Sequence, residues 1–298
     1  MHASAGRLVR PRHARIGGRS DVPRVLPLTA ELSAGARKGI PAWIDSHSSN
    51  GSREATWLEL TYPMSSDAFL RRLYSLGDST SLRAGMFMEE IDAFSADVAF
   101  RHVYYTSGDP EVNPPPTIVT AAHGNLSFLQ ALSAEDDWRL RGCVVAVGNS
   151  SIEVRTDVLM ACSSGTERLL GTCYTVMVAR DVENADKPAK AKVHPLLPLN
   201  EDQEAVARCS SEPSVFDGAS ERQRRRKQMG DEALSKQPPT AKEVPILHEL
   251  WRSRGSPSSP KRINISDTQE RAVDVMQPQN RNQNGFMFGG FLMRRALE

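Results

Sequence analysis

Two stretches of the chain hold residue types that can do chemistry at close spacing. The first is Glu89-Glu90-Ile91-Asp92. A carboxylate taken out of water can act as general base or nucleophile; the same residues left in water are a solvated helix face. The second is Met276–Arg295, where Asn282 precedes Gly289-Gly290. Glycines at a helix start let a ligand oxygen approach backbone N–H groups that carry partial positive charge. An Asn in the same loop can donate and accept there. Residue types alone make this an anion or oxyanion site, or a structural glycine turn. No metal and no cofactor is expected.

Each group needs an element to position it. Around the carboxylates, Phe87, Ile91, Phe94 and Val98 recur at helical spacing, which predicts a long helix over Ser81–His102 with one apolar stripe. Asp92 falls on a face next to that stripe. Thr56–Tyr62 reads as a strand stopped by Pro63, and Ser65-Ser66-Asp67 caps a short helix carrying Phe69, Leu70, Leu73 and Tyr74. After the long helix come strands at Thr117–Ala122, Leu140–Gly148, around Ile152–Val158 and at Leu169–Val178. Gly148-Asn149-Ser150 and Cys162–Gly165 are the turns between the last three. Short connections predict an antiparallel meander. A helix with a broad apolar stripe plus such a sheet makes an α+β domain whose sheet curls round the helix.

The flanks differ from this middle. Met1–Ser20 carries Arg7, Arg10, Arg12, Arg15 and Arg19 with no acidic residue, the composition of a mitochondrial presequence or of a disordered basic tail. Arg180–Asp267 is polar and Pro-punctuated, with an Arg cluster at Arg222–Lys227 and a short helix expected near Val244–Arg252, whose Ile246, Leu247, Leu250 and Trp251 would dock on a neighbour. A strand is expected to end at Met276. The domain organisation read from these shifts is a leader over 1–52, a folded domain over 53–180, a charged linker over 181–267 and the start of a further domain over 268–298.

Composition excludes some classes. Lys plus Arg number 37 against 36 Asp plus Glu, for a net charge of +1. The whole chain therefore makes no electrostatic bid for nucleic acid. The Arg cluster has no interleaved stacking aromatics. No apolar run approaches the length that spans a membrane. The four cysteines show no CxxC pairing, so Cys143 and Cys173 read as small buried residues in strands of a reduced protein.

MQPQNRNQNGFMFGGFLMR resembles the loop and central-helix start of hotdog-fold acyl-coenzyme A thioesterases, whose signature is an Asn a few residues before a Gly-Gly. LRAGMFMEEIDAFSADVAFRH resembles the helix of the other hotdog repeat, with Asp92 at the acidic position. TIVTAAHGNLSFLQAL and LRGCVVAVGNSSIEVRTDV resemble the strands that follow, and the linker wording is similar to the mitochondrial two-hotdog branch. The resemblance implies an α+β hotdog fold, an antiparallel sheet wrapped round a central helix, with one complete repeat and the start of a second, truncated one. It implies hydrolysis of acyl-coenzyme A with Asp92 as general base, Asn282 from the other repeat orienting water or carbonyl, and oxyanion or substrate contacts at Gly85, Gly289 and Gly290. It also implies a homo-oligomer built through the sheets and a location in the mitochondrial matrix. The first repeat departs from the family in having Ala84-Gly85 with no Asn at the matching spacing. With the second sheet missing, Phe291, Leu292 and Met293 are expected to stay unburied. The alternatives are a non-catalytic acyl-coenzyme A binder or assembly protein and a basic RNA-associated protein.

Overall fold

The apolar stripe becomes the axis of the molecule. In the computed structural model, Phe87, Ile91, Phe94 and Val98 lie on helix α2 (Ala84–Thr106) and are at most 1% exposed. Burying each contributes on the order of 2 kcal/mol. The structure describes residues 56–77, 80–106, 116–124, 133–161, 167–181, 189–196, 218–233, 235–253, 263, 265–277, 280 and 287–297. The basic leader, Asn282 and the turn at Cys162–Gly165 lie outside them.

Strand β1 (Leu58–Tyr62) leads to helix α1 (Ala68–Tyr74), where the Asp67 carboxylate accepts from the Leu70 N–H as the expected cap. Helix α2 follows. Then come β2 (Thr117–His123), β3 (Trp138–Val147), β4 (Ser151–Ala161), β5 (Glu167–Asp181) and the short β6 (Ala189–Lys190). The sheet is antiparallel in the order β1-β3-β4-β5-β2, with β6 on β5. This is a sheet wrapped round a central helix, the hotdog arrangement.

The meander expectation holds only for β3-β4-β5. Strand β2 pairs with β5 at one edge rather than with β3. The connection over Gly124–Asp137 is too long for a tight hairpin, and it lets the chain cross from that edge to the other side of β4. Cys143 and Cys173 are buried, as expected, in β3 and β5.

Helix α5 (Gly289–Leu297) belongs to the same compact unit and packs against α2. Leu292 is exposed, as expected, and Met293 half-buried, but the expectation fails for Phe291, which is buried. The reason is a partner that periodicity does not show. Gly290 rests on the backbone of Glu89, and Arg294 donates to Glu89 at 2.9 Å. The two helices run antiparallel: Gly289 lies beside Asp92, and Arg294 beside Glu89 and Met86.

A second unit, Asp217–Gln277, holds α3 (Ala219–Asp231), α4 (Glu243–Arg252) and a turn of 3-10 helix at Ile265–Thr268. The Arg cluster sits on α3 as a solvated helix, with Arg224 paired to Glu221. On α4, Ile246, Leu247, Leu250 and Trp251 are exposed. The strand expected before Met276 is absent: residues 269–277 have no regular structure, and Val273 and Val275 are exposed with no ladder to join.

Candidate active site

Asp92 is fully buried at the middle of α2. Its Oδ1 accepts from Thr120 Oγ1 at 2.6 Å and from His123 Nε2 at 2.9 Å. Its Oδ2 is buried and has no hydrogen-bond partner among the described residues. That oxygen faces the start of α5: a Cβ added at Gly289 would lie 3.1 Å from it and 3.3 Å from Thr120 Oγ1. A buried carboxylate oxygen left without a donor is costly, and such groups concentrate where chemistry happens.

The polar surroundings extend inward from His123. Its Nδ1 lies 3.0 Å from Thr175 Oγ1, which accepts from Ser95 Oγ at 3.1 Å; Thr156 Oγ1 lies 3.3 Å from Ser95. Ser95, Thr156 and Thr175 are fully buried. Burial pushes the His123 imidazole down, but hydrogen bonding to Asp92, and then to Cys173, outweighs it and raises the group to about 9. His123 is thus an imidazolium at neutral pH, paired with the Asp92 carboxylate.

The neighbouring acids face elsewhere. Glu89 is buried under α5 and paired with Arg294. Glu90 accepts from Tyr62 OH at 2.9 Å and Tyr74 OH at 2.6 Å. None of the three carboxylates forms a solvated helix face, because the sheet, an aromatic cluster and α5 each cover one side.

Of the residues singled out in the sequence, Asp92 and Gly289 are brought together. Gly290 sits one step along α5, where a Cβ would meet Phe288 Cε1 at 2.6 Å and Glu89 Cα at 3.1 Å. Close helix packing thus accounts for that glycine. Gly85 lies in the first turn of α2, seven residues before Asp92, or about 10 Å along the axis. It is not part of the Asp92 cluster. Sequence reasoning missed Thr120 and His123. The sequence pattern marks a strand at Thr117–Ala122, but regular alternation puts residues three apart on opposite faces.

At the α5 start, Phe288 N–H bonds Asn280 O and Leu292 N–H bonds Phe288 O, so the N–H groups of Gly289, Gly290 and Phe291 precede the helix's own ladder. The cluster therefore combines a carboxylate with one loaded and one open oxygen, a cation behind it, and helix-start donors in front. Among the described residues no group of His, Cys, Asp or Glu could hold a metal ion.

No protein-family model matches the chain. It is 30% identical over 253 residues to mitochondrial acyl-coenzyme A thioesterase 9 of Mus musculus, covering 82% of this chain and 54% of that protein. Mitochondrial acyl-coenzyme A thioesterase 10 of the same organism matches at 30% over the same shares. A chloroplastic acyl-coenzyme A thioesterase 2 of Humulus lupulus is 28% identical, covering 80% of this chain and 53% of that protein. Among solved structures, an acyl-CoA hydrolase from Staphylococcus aureus in complex with butyryl coenzyme A and coenzyme A matches with a TM-score of 0.43 and 18% identity, covering 67% of this chain and 98% of that one. An acyl-CoA hydrolase from Bacillus cereus matches with a TM-score of 0.39 and 19% identity, covering 61% and 97%. By sequence, then, the chain is similar to acyl-coenzyme A thioesterases, and it spans about half the length of these curated relatives.

Proposed function

We propose that this chain hydrolyses acyl-coenzyme A thioesters at the junction of α2 and the α5 start. The observation that carries the reading is the Asp92 carboxylate, fully buried, with Oδ1 held by two donors and Oδ2 turned toward Gly289. Sequence similarity to thioesterases along most of the chain supports the substrate class.

In this scheme the thioester carbonyl lies against the N–H groups at Gly289 and Gly290, which stabilise the oxyanion as it forms. Such donors are worth roughly 3–4 kcal/mol each in acyl-transfer sites. Asn282 orients the attacking water or the carbonyl. Asp92 Oδ2 takes a proton from that water as its oxygen bonds to the carbonyl carbon. The tetrahedral intermediate collapses with cleavage of the C–S bond, and the proton on Oδ2 passes to the departing thiolate. The products are a fatty acid and coenzyme A, and Asp92 is regenerated. Gly85, remote from Asp92, has no role in this site. Assembly into homo-oligomers through the sheets and residence in the mitochondrial matrix belong to the same proposal; light scattering and fractionation of a tagged chain test them.

The deciding experiment is thiol release from short-, medium- and long-chain acyl-coenzyme A by the wild-type chain and by Asp92→Asn. Release that disappears in the variant supports hydrolysis with Asp92 as base. Acyl-coenzyme A binding with no release from the wild type makes the chain a binder instead.

A further inference from the structure

Strand β2 breaks its own alternation next to Asp92. Thr120 pairs with Met177 and Ala122 with Val176, so Ala121 is the extra residue of a β-bulge. In an unbroken strand Thr120 and His123 would point to opposite faces. The bulge resets the count, and both side chains reach the same carboxylate oxygen of Asp92, at 2.6 and 2.9 Å. The opposite side of the imidazole is fixed by Thr175 on β5, itself held by Ser95 of α2.

We propose that His123 is a positioning residue for Asp92, aimed by the β2 bulge, which pins Oδ1 so that Oδ2 alone meets the α5 start and which supplies the countercharge a buried carboxylate needs. The inference rests on the assignment of Asp92 made above. Two donors converging on one oxygen fix the carboxylate plane, where a single hydroxyl would leave it free to turn about the Thr120 contact. A carboxylate that is wholly buried also requires a paired charge, and among its hydrogen-bond partners His123 is the one able to carry it. The titratable groups facing the imidazole are Asp92 from α2 and Cys173 from β5; both favour the cation over the pull of burial.

Imidazole NMR of the full chain tests the pairing without turnover. The His123 ring is expected to titrate near 9 in the wild type and to fall well below that in Asp92→Asn, where burial remains and the larger of the two raising contacts is gone. Titration near 6.5 in the folded wild type would overturn the proposal whatever the enzyme does. Kinetics then test the consequence. His123→Ala is expected to lower kcat by about 10²-fold, with KM nearly unchanged and melting cooperative. His123→Gln, which keeps a donor, is expected to recover part of that loss and to lack the fall in kcat expected of the wild type as pH rises through about 9. Wild-type kcat and an intact alkaline limb in both variants would overturn the positioning role. No thiol release from a wild type whose His123 titrates near 9 sinks the hydrolase reading instead and leaves the pairing supported.

Discussion

Glu90 and Asp92 stand two residues apart on α2, both buried, and they are used in opposite ways. Glu90 has both oxygens taken, one by Tyr74 and one by Tyr62. Those rings belong to a cluster in which Tyr62 stacks on Trp138 at 3.6 Å between centroids and Phe87 meets Trp138 edge-on at 5.0 Å. Burial, and then the charge of Glu90, push the Tyr74 hydroxyl well above its usual range, so it remains a donor throughout the neutral region. Asp92 has both donors on one oxygen and none, among the described residues, on the other. A carboxylate satisfied at both ends is a strut; one satisfied at one end keeps an oxygen for the chemistry proposed above. The wall facing each acid sets the difference: closed and aromatic for Glu90, a helix start for Asp92.

Exchanging acid for amide or alanine at the two positions should separate these roles. Asp92→Asn is expected to lower thiol release by 10²–10⁴-fold, roughly the contribution of a positioned base, while the chain stays folded. Glu90→Ala is expected to do the reverse. It strands two buried tyrosine hydroxyls and should remove on the order of 3 kcal/mol of stability in a denaturant titration, with kcat of the folded fraction near wild type. Equal kinetic losses at the two positions, measured where both variants are folded, would erase the distinction.

A pair of histidines sharpens the same contrast through pH. His123 is raised to about 9 and His102, buried against the His194 carbonyl, is lowered, chiefly by burial. The signs are opposite. The His123 contribution is fully present below pH 6.5 and is lost as pH rises through about 9; a shift of that size corresponds to roughly 3 kcal/mol. The His102 contribution is present above pH 6.5 and is lost as pH falls below it, because the unfolded chain takes up the proton first. Stability against pH should therefore fall on both sides. Asp92→Asn should flatten the alkaline side alone. An alkaline fall that survives Asp92→Asn would show that His123 does not draw its charge from this pair.

Much of the frame was legible in residue order. The stripe Phe87-Ile91-Phe94-Val98 named the buried helix because helical spacing is a local property. The Asp67 cap and the Gly148–Ser150 turn were legible for the same reason. What failed was set by distant contacts. Glu89, Glu90 and Asp92 carry the pattern of a solvated face, and only the sheet, the tyrosines and α5 dry them. His123 escaped notice because one inserted residue, Ala121, reverses the alternation that strand reading relies on. Leu292 stays exposed as expected while Phe291 does not, since the cover for Phe291 is α2, some two hundred residues earlier.

The two adjacent glycines of α5 give the smallest and most local test. A methyl at Gly290 would lie 2.6 Å from the Phe288 ring and 3.1 Å from Glu89 Cα, one a side chain that can turn and the other backbone that cannot. Overpacking of this kind costs about 1–3 kcal/mol, partly offset by the better helix propensity of alanine. Gly290→Ala should thus lower the denaturation midpoint. A methyl at Gly289 meets side chains alone, Asp92 Oδ2 at 3.1 Å and Thr120 Oγ1 and Cβ at 3.3 Å, with none of the sub-3 Å overlap found at Gly290, so stability should move less. That methyl, however, occupies the space in front of Oδ2, where the proposed mechanism puts the attacking water. Gly289→Ala is therefore expected to cut thiol release more than it cuts stability, and Gly290→Ala the reverse. Full activity in Gly289→Ala would move the reacting centre away from the α5 start, since no water held between Oδ2 and that helix end could share its place with a methyl group.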